Sequence, residues 1–386
     1  IVSNPAGLAA AASPDGPVAA AVVASSVALG RATPEGTARI AAARPLGRIL
    51  ARPLGRTGLT VAPVGFGCHR LEDTAEQRAA LRGALRCGCN LIDVAPNYSD
   101  GEAERVVGRV LREMYVAGEV RRDEIIVVTK VGNVVGSALA QPSLRKLGGV
   151  AHVRENVWHC IEPAWIEEEL TRSLSRLGLE CVDALLLHCP EFALRADGVD
   201  IDEVYRRIAR AAEHLELEVA RGRIACYGVS AAFYPLRPSD PEHLELERVL
   251  GSLPREGRGF QVLQFPVNFA EPQALSVPHA AHASSPATAP PAAPLLELAR
   301  RQGLAVLANR PLDGLFGELL GPLRFASAAS LGSELSEEDA DALEARITTL
   351  CGPGTDDGDL VSGELAGKTV RILAALPGLD VVLVGM

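Results

Sequence analysis

Short apolar runs alternate with amphipathic stretches along most of this chain, from Leu54 to its end. Runs rich in Val, Ile and Leu are typical of buried parallel strands, whereas apolar residues at helical spacing predict helices packed on a core. Eight strands are predicted, at Thr60–Gly67, Asn90–Ala95, Glu124–Val131, Ala184–Pro190, Ile224–Ala231, Gln261–Asn268, Leu304–Leu312 and Val381–Gly385. Six helices are predicted between them, at Thr74–Arg86, Glu102–Met114, Ala164–Leu177, Ile201–Arg221, Leu295–Gln302 and Glu364–Ala375.

This alternation of eight strands with helices predicts an α/β protein, and specifically a (β/α)8 TIM barrel built from βαβ units. An open doubly wound sheet is the alternative architecture. It is disfavoured because no G-x-G-x-x-G turn follows the first strand, where Gly67 leads directly into Cys68 and His69.

We assign residues 53–386 to the barrel and expect three long insertions within it, at residues 134–163, 270–294 and 313–362. Loops that follow barrel strands commonly shape the substrate pocket. The sequence ends directly after the eighth predicted strand, so we expect the last helix of the barrel to be missing.

Residues 1–52 differ from the rest because they are rich in alanine and contain five arginines against two acidic residues. We interpret them as a disordered leader outside the core. An organelle transit peptide has the same acid-poor, arginine-containing character. We expect the protein to be cytoplasmic. If the leader is a transit peptide, the expected location is instead a plastid or a mitochondrion.

Composition and charge argue against several classes of function. The formal net charge is −10 with no dense basic stripe, which argues against nucleic acid as a partner. No apolar stretch reaches the roughly 18 to 20 residues that span a bilayer, so no membrane association is expected. The eight cysteines include no C-x-x-C pair, so neither a metal site nor a disulfide framework is indicated.

Three of the apolar runs finish on ionisable residues, namely Asp93, Lys130 and His188. Such side chains are costly to bury unless they face one another or a ligand. The carboxyl ends of barrel strands line the active site, so we expect these residues to form one polar cluster there. Tyr98 follows Asp93 by five residues. A nearby Lys130 ammonium is expected to lower the phenol pKa of Tyr98, which suits proton donation to a developing alkoxide.

With these residues in place, the chain resembles the aldo-keto reductase superfamily over about residues 53–386. The resemblance is carried by Leu54-Gly55-Arg56-Thr57-Gly58-Leu59, Leu91-Ile92-Asp93-Val94-Ala95-Pro96-Asn97-Tyr98, Gly101-Glu102-Ala103-Glu104-Arg105-Val106-Val107-Gly108, Thr129-Lys130, Leu186-Leu187-His188-Cys189-Pro190, Gly228-Val229-Ser230 and Pro311-Leu312. It implies an enzyme that reduces an aldehyde or ketone, or oxidises the alcohol, by hydride transfer with a nicotinamide cofactor. It also implies that Tyr98 is the general acid/base, that Lys130 and Asp93 tune it, and that His188 orients the carbonyl oxygen.

The resemblance implies NADP(H) as the cofactor, with NAD(H) as the alternative. Ser230 and Gln264 match positions that hold the nicotinamide carboxamide. The stretch that matches the family's contact with the cofactor diphosphate is Arg310, Pro311 and Leu312. The family usually has Asn where this chain has Ala231, so one carboxamide contact is expected to be lost or supplied elsewhere. The segment that grips the adenosine phosphate in the family falls after Met386, so the choice of NADP(H) follows from the resemblance alone.

Two other functions stay open. A cofactor-binding regulatory or scaffold subunit of the same fold would keep the polar cluster but turn over slowly. A lysine at the end of a barrel strand can also form a Schiff base, so an aldolase that uses Lys130 is the minor alternative. The expected ligand is a small carbonyl compound or alcohol, and the oligomeric state is left open.

Overall fold

The computed structural model describes residues 30–44, 50–231, 240–269, 271–279, 293–316, 319–322 and 363–385 of the 386-residue chain. Its centre is a closed barrel of eight parallel strands that follow one another around the barrel in chain order. The barrel strands are β1 (Val64–Gly67), β2 (Leu91–Asp93), β3 (Ile126–Val131), β4 (Val182–His188), β5 (Ile224–Ser230), β6 (Phe260–Pro266), β7 (Ala305–Asn309) and β8 (Val381–Gly385). The predicted barrel is confirmed, and each strand overlaps its predicted range.

Helices surround the barrel, and six of them coincide with the six predicted helices. Sequence signals mark their ends. Thr74 precedes the helix that begins at Ala75 and accepts a hydrogen bond from the Gln77 N–H at 3.2 Å. Gly178 follows the helix that ends at Leu177 and adopts the left-handed conformation at φ 67°. Within the described parts of the chain the helices are α1 (Pro34–Ala43), α2 (Ala75–Arg86), α3 (Glu102–Val116), α4 (Pro163–Leu177), α5 (Ile201–Ala220), α6 (Leu246–Gly251), α7 (Gln273–Ser276), α8 (Leu295–Arg301) and α9 (Gly363–Ala374).

The apolar core has two layers, one inside the barrel and one between the barrel and its helices. Side chains alternate between the two faces of each strand. In β3, Ile126 belongs to the inner layer and Val127 to the outer one, and Leu186 and Leu185 of β4 divide in the same way. Most strand positions are therefore apolar on both faces of the barrel wall.

The N-terminal region differs from the expectation that all of residues 1–52 lie outside the core. Thr33 caps α1 by accepting a hydrogen bond from the Gly36 N–H, and Ile40 of this helix is only 3% exposed. The Ala32 N–H donates to the buried Asp183 carboxylate at 2.7 Å, beside the start of β4. This part of the predicted leader therefore packs against the amino ends of the barrel strands. Its alanine-rich composition did not reveal this, because a short helix needs only one buried apolar face to dock.

The insertion predicted at residues 134–163 forms a small antiparallel sheet of Asn133–Val134, Ala151–Arg154 and Val157–His159. The predicted disordered leader and the predicted insertions at residues 270–294 and 313–362 lie largely outside the described residues and stay predictions. The short two-stranded pairs are Arg52–Pro53 with Thr60–Val61, Pro278–His279 with Ala293–Pro294, and Asp313–Phe316 with Leu319–Pro322.

Across the described ranges, no helix combines the length and the apolar character that a membrane span requires. The same residues contain no group of three or more His, Cys, Asp or Glu side chains placed to hold a metal ion.

Candidate active site

Lys130 lies at the centre of a polar cluster at the carboxyl ends of the barrel strands. Its side chain is fully buried, and its Nζ donates hydrogen bonds to Asp93 Oδ1 at 2.7 Å, the Val94 carbonyl at 3.1 Å and Tyr98 Oη at 3.1 Å. An ammonium has three N–H groups, so each of them has an acceptor. The predicted convergence of Asp93, Tyr98 and Lys130 is therefore present in the structure.

The strand register explains why Asp93 and Lys130 meet. Asp93 pairs with Val128 across β2 and β3, and Lys130 lies two residues further along β3. Residues two apart on a strand point to the same face, so the long Lys130 side chain reaches back over the end of β2.

A tight left-handed turn places Tyr98 over the same strand ends. Ser99 and Asp100 have φ values of 47° and 52°, and Gly101 follows at 81°. Left-handed backbone costs non-glycine residues roughly 1–2 kcal/mol each, so the surrounding structure must hold the turn in place. One restraint is the Ser99 hydroxyl, which donates to the Leu71 carbonyl at 3.0 Å.

Two imidazoles face the Tyr98 ring edge-on. The His188 ring centroid lies 6.2 Å from that of Tyr98 at an interplanar angle of 82°, and the His69 centroid lies 5.1 Å away at 86°. The predicted position of His188 at the cluster is therefore observed. His69 was not selected from the sequence, although its place just after β1 was the signal that could have identified it.

The protonation states follow from burial and neighbouring charge. Burial raises the pKa of the Tyr98 phenol to about 12, with Lys130 acting to lower it and Asp93 to raise it. The prediction that Lys130 lowers the phenol pKa was therefore wrong in its net result, because burial outweighs the ammonium. Burial lowers the pKa of the His188 imidazole well below its ordinary value, and the Lys130 charge lowers it further. At neutral pH the site thus presents a protonated phenol and a neutral imidazole.

Lys130 keeps its charge in this environment. Burial opposes the ammonium, but Asp93 and Tyr98 together raise the pKa of Lys130 above its ordinary value. A permanent positive charge 3.1 Å from the phenol oxygen would stabilise the phenolate that forms if Tyr98 gives up its proton.

A chain of amides and a hydroxyl continues the cluster along β5, β6 and β7. Gln264 Nε2 donates to Asp93 Oδ2 at 2.7 Å, and the Ser230 hydroxyl donates to Gln264 Oε1 at 2.7 Å. Asn309 Nδ2 lies 3.4 Å from the same Gln264 oxygen, and its own Oδ1 is buried without a hydrogen-bond partner among the described residues. Both Asp93 oxygens are therefore engaged. Asn309 was not selected from the sequence, although it is the last residue of β7.

The stretch from Arg310 to Leu312 lies apart from this network, on the turn after β7. Arg310 has a left-handed φ of 54°, its Nη2 is 3.3 Å from Glu271 Oε1, and its carbonyl accepts from Asn268 Nδ2 at 3.1 Å. The turn is thus tied to the loop that follows β6, at the same end of the barrel. Pro311 in it is buried, and Leu312 is half-buried.

The closed eight-stranded barrel carries a Tyr–Lys–Asp–His cluster at the carboxyl ends of its strands, and part of the chain is similar to known proteins. Residues 63–236 match the model of the Aldo/keto reductase family. Over this stretch, a little under half of its length, the chain is similar to that family.

Individual relatives match only part of the chain. An NADH-specific methylglyoxal reductase of Escherichia coli is 31% identical over 148 residues, which are 35% of this chain and 40% of that protein. An NADP(+) aldo-keto reductase of Schizosaccharomyces pombe is 30% identical over 135 residues, or 33% of this chain and 34% of that protein. The matched stretch thus spans less than half the length of these relatives.

A solved structure has a similar fold over most of this chain. The holo form of an aldo-keto reductase from Bacillus halodurans superposes with a TM-score of 0.56, covering 87% of this chain and 86% of the other at 22% identity. At this identity the likeness establishes the barrel fold and nothing finer.

Proposed function

We propose that this protein is an NAD(P)H-dependent reductase of small aldehydes or ketones, or oxidises the corresponding alcohols, with Tyr98 as the general acid/base. The observation that carries the proposal is the 3.1 Å hydrogen bond from the buried Lys130 ammonium to the Tyr98 phenol oxygen. It joins a proton donor to a fixed positive charge at the mouth of a barrel, where carbonyl reduction needs both.

The mechanism follows from the protonation states. The substrate oxygen lies between Tyr98 and His188, where the neutral imidazole and the phenol can each donate one hydrogen bond to it. As the carbonyl carbon is reduced, its oxygen becomes an alkoxide and takes the Tyr98 proton. Lys130 stabilises the resulting phenolate, and Asp93 balances the Lys130 charge from 2.7 Å. Alcohol oxidation uses the same groups in reverse order.

The residues around the cluster fit a nicotinamide carboxamide. Ser230 and Gln264 are almost fully buried and present a hydroxyl and an amide, and the unpartnered Oδ1 of Asn309 can accept an N–H. We infer that these three hold the carboxamide, with Asn309 as a candidate for the contact that Ala231 does not supply. A reduced nicotinamide bound there supplies the hydride. We propose NADP(H), with NAD(H) as the alternative, and the turn of Arg310, Pro311 and Leu312 beside the cofactor diphosphate.

The same geometry argues against a Schiff-base aldolase. A nucleophilic lysine must be unprotonated, usually because its pKa is depressed. In this site the pKa of Lys130 is raised, and all three of its N–H groups are engaged.

The test is Tyr98→Phe, assayed with NADPH and NADH against a panel of small aldehydes. Loss of a general acid is expected to lower kcat by about 10²–10⁴-fold while the affinity for the cofactor stays unchanged. Tyr115→Phe is the matched control, because the Tyr115 hydroxyl is buried without a partner in the described residues and lies on α3. Turnover by Tyr98→Phe equal to that of the control would refute the proposed role. Cofactor binding without turnover in the unmodified protein would instead indicate the scaffold function.

A further inference from the structure

A buried histidine of the insertion lies directly behind His188. His159 ends the strand Val157–His159 and is only 1% exposed. Its Nε2 is 3.0 Å from the main-chain carbonyl oxygen of His188. The strand that carries His159 pairs with Asn133, just beyond the end of β3. The insertion is therefore connected to the backbone of a residue in the polar cluster.

The tautomer of His159 follows from this contact. A carbonyl oxygen can only accept, so Nε2 must carry the hydrogen. Burial lowers the pKa of the His159 imidazole to about 4, so the ring is neutral at neutral pH and Nδ1 is unprotonated. That Nδ1 has no hydrogen-bond partner within the described residues. Among the residues that the structure describes, this ring thus makes its hydrogen bond to the His188 carbonyl.

The backbone at His188 is held from several sides. Cys189 has a left-handed φ of 52°, and its N–H donates to the Ser230 carbonyl at 2.6 Å. On the other side, a Cβ at Gly132 would lie 2.5 Å from the His188 oxygen and 2.9 Å from His159 Nε2, so only glycine fits there. The direction of a side chain is set by the backbone that carries it, and here that backbone has little freedom.

We propose that His159 is a positioning residue, which fixes the orientation of the His188 imidazole through the hydrogen bond to the His188 carbonyl. The inference rests on the proposed function, in which His188 aligns the substrate oxygen. The end of the insertion's last strand thus supports the backbone of His188 in the polar cluster.

The first test compares two replacements of His159. His159→Phe keeps an aromatic ring and removes the donor, and it is expected to lower kcat by about tenfold to a hundredfold without changing cofactor affinity, because misalignment acts on the reacting geometry. His159→Gln can place an amide N–H near the position of Nε2 and is expected to recover most of the loss. Equal activity of His159→Phe and the unmodified protein would overturn the proposal.

A double-mutant cycle separates positioning from general stability. If His159 acts through His188, the change to Phe has little effect in a His188→Ala background, so the two losses are strongly non-additive. Fully additive losses would show that His159 is merely structural. If His159→Phe fails to fold, His159→Leu, which also removes the donor to the His188 carbonyl, completes the same cycle with and without His188→Ala. Absence of turnover in the unmodified protein would reject the proposed function. Additive losses in an active enzyme would reject only the positioning role of His159.

Discussion

Replacing Lys130 by Met tests whether the central charge pair is as buried as the structure indicates. Lys130 is fully buried, and Asp93 is only 4% exposed. Met fills a similar volume but cannot donate a hydrogen bond. After the change Asp93 Oδ2 keeps its bond from Gln264, while Oδ1 loses the ammonium at 2.7 Å.

The cost is set by the carboxylate that remains. Removing one partner of a buried ion pair typically destabilises a protein by about 3–5 kcal/mol, and we expect a value in this range at about pH 8. The double change Asp93→Asn with Lys130→Met removes both charges and is expected to recover about 2 kcal/mol or more of the loss. Gln264 and the substituted Asn can still exchange a hydrogen bond.

In the unmodified protein the pKa of Lys130 is raised on folding, so its contribution is fully present below the ordinary lysine value and is lost only in strong alkali. The Lys130 charge is therefore present throughout the range from about pH 5 to about pH 8.

The assay is urea unfolding of the three proteins at these two pH values, followed by circular dichroism. The expected result is a Lys130→Met deficit of about 3–5 kcal/mol at both pH values, with the double variant recovering about 2 kcal/mol or more of it. A deficit under about 1 kcal/mol at both pH values would refute the reasoning, because it would mean that water already solvates Asp93.

Two further predictions concern the pH dependence and the N-terminal helix. Since the pKa of Tyr98 is raised to about 12, the phenol stays protonated at working pH, so carbonyl reduction should be flat from about pH 6 to about pH 9. Alcohol oxidation needs the phenolate and should rise nearly tenfold per pH unit over the same range, and a plateau in that profile would contradict the raised pKa. Ile40→Ala should cost about 2–4 kcal/mol in urea unfolding, because Ile40 is buried against the barrel. Glu35→Gln, on the exposed side of the same helix, should stay within about 0.5 kcal/mol, and equal effects of the two changes would show that α1 does not dock.

Much of the fold was evident from local patterns. The apolar runs that became β3 and β4 are rich in β-branched and aliphatic residues, and the turn and cap residues between elements mark where each ends. These signals are local, because strand alternation and helix caps act within a few residues of chain. The first strand was predicted too long, since Pro63 divides it and only Val64–Gly67 joins the barrel.

The residues of the polar cluster could be selected from the sequence, but their protonation energetics could not. Asp93, Lys130 and His188 could be selected because each ends an apolar strand, and Tyr98 because it follows one of them. The net pKa of Tyr98 could not be predicted, since the sequence does not say how deeply the phenol is buried.

The sequence by itself determined which elements form and which ionisable groups they carry to one end of the barrel. Only the tertiary structure decided that Gln264 reaches Asp93 across 171 residues of chain, that His159 supports His188, and that α1 docks on the barrel. Those contacts join residues that no local pattern relates, and desolvation depends on everything packed around a group. These long-range contacts and the desolvation of each group exist only once the chain has folded.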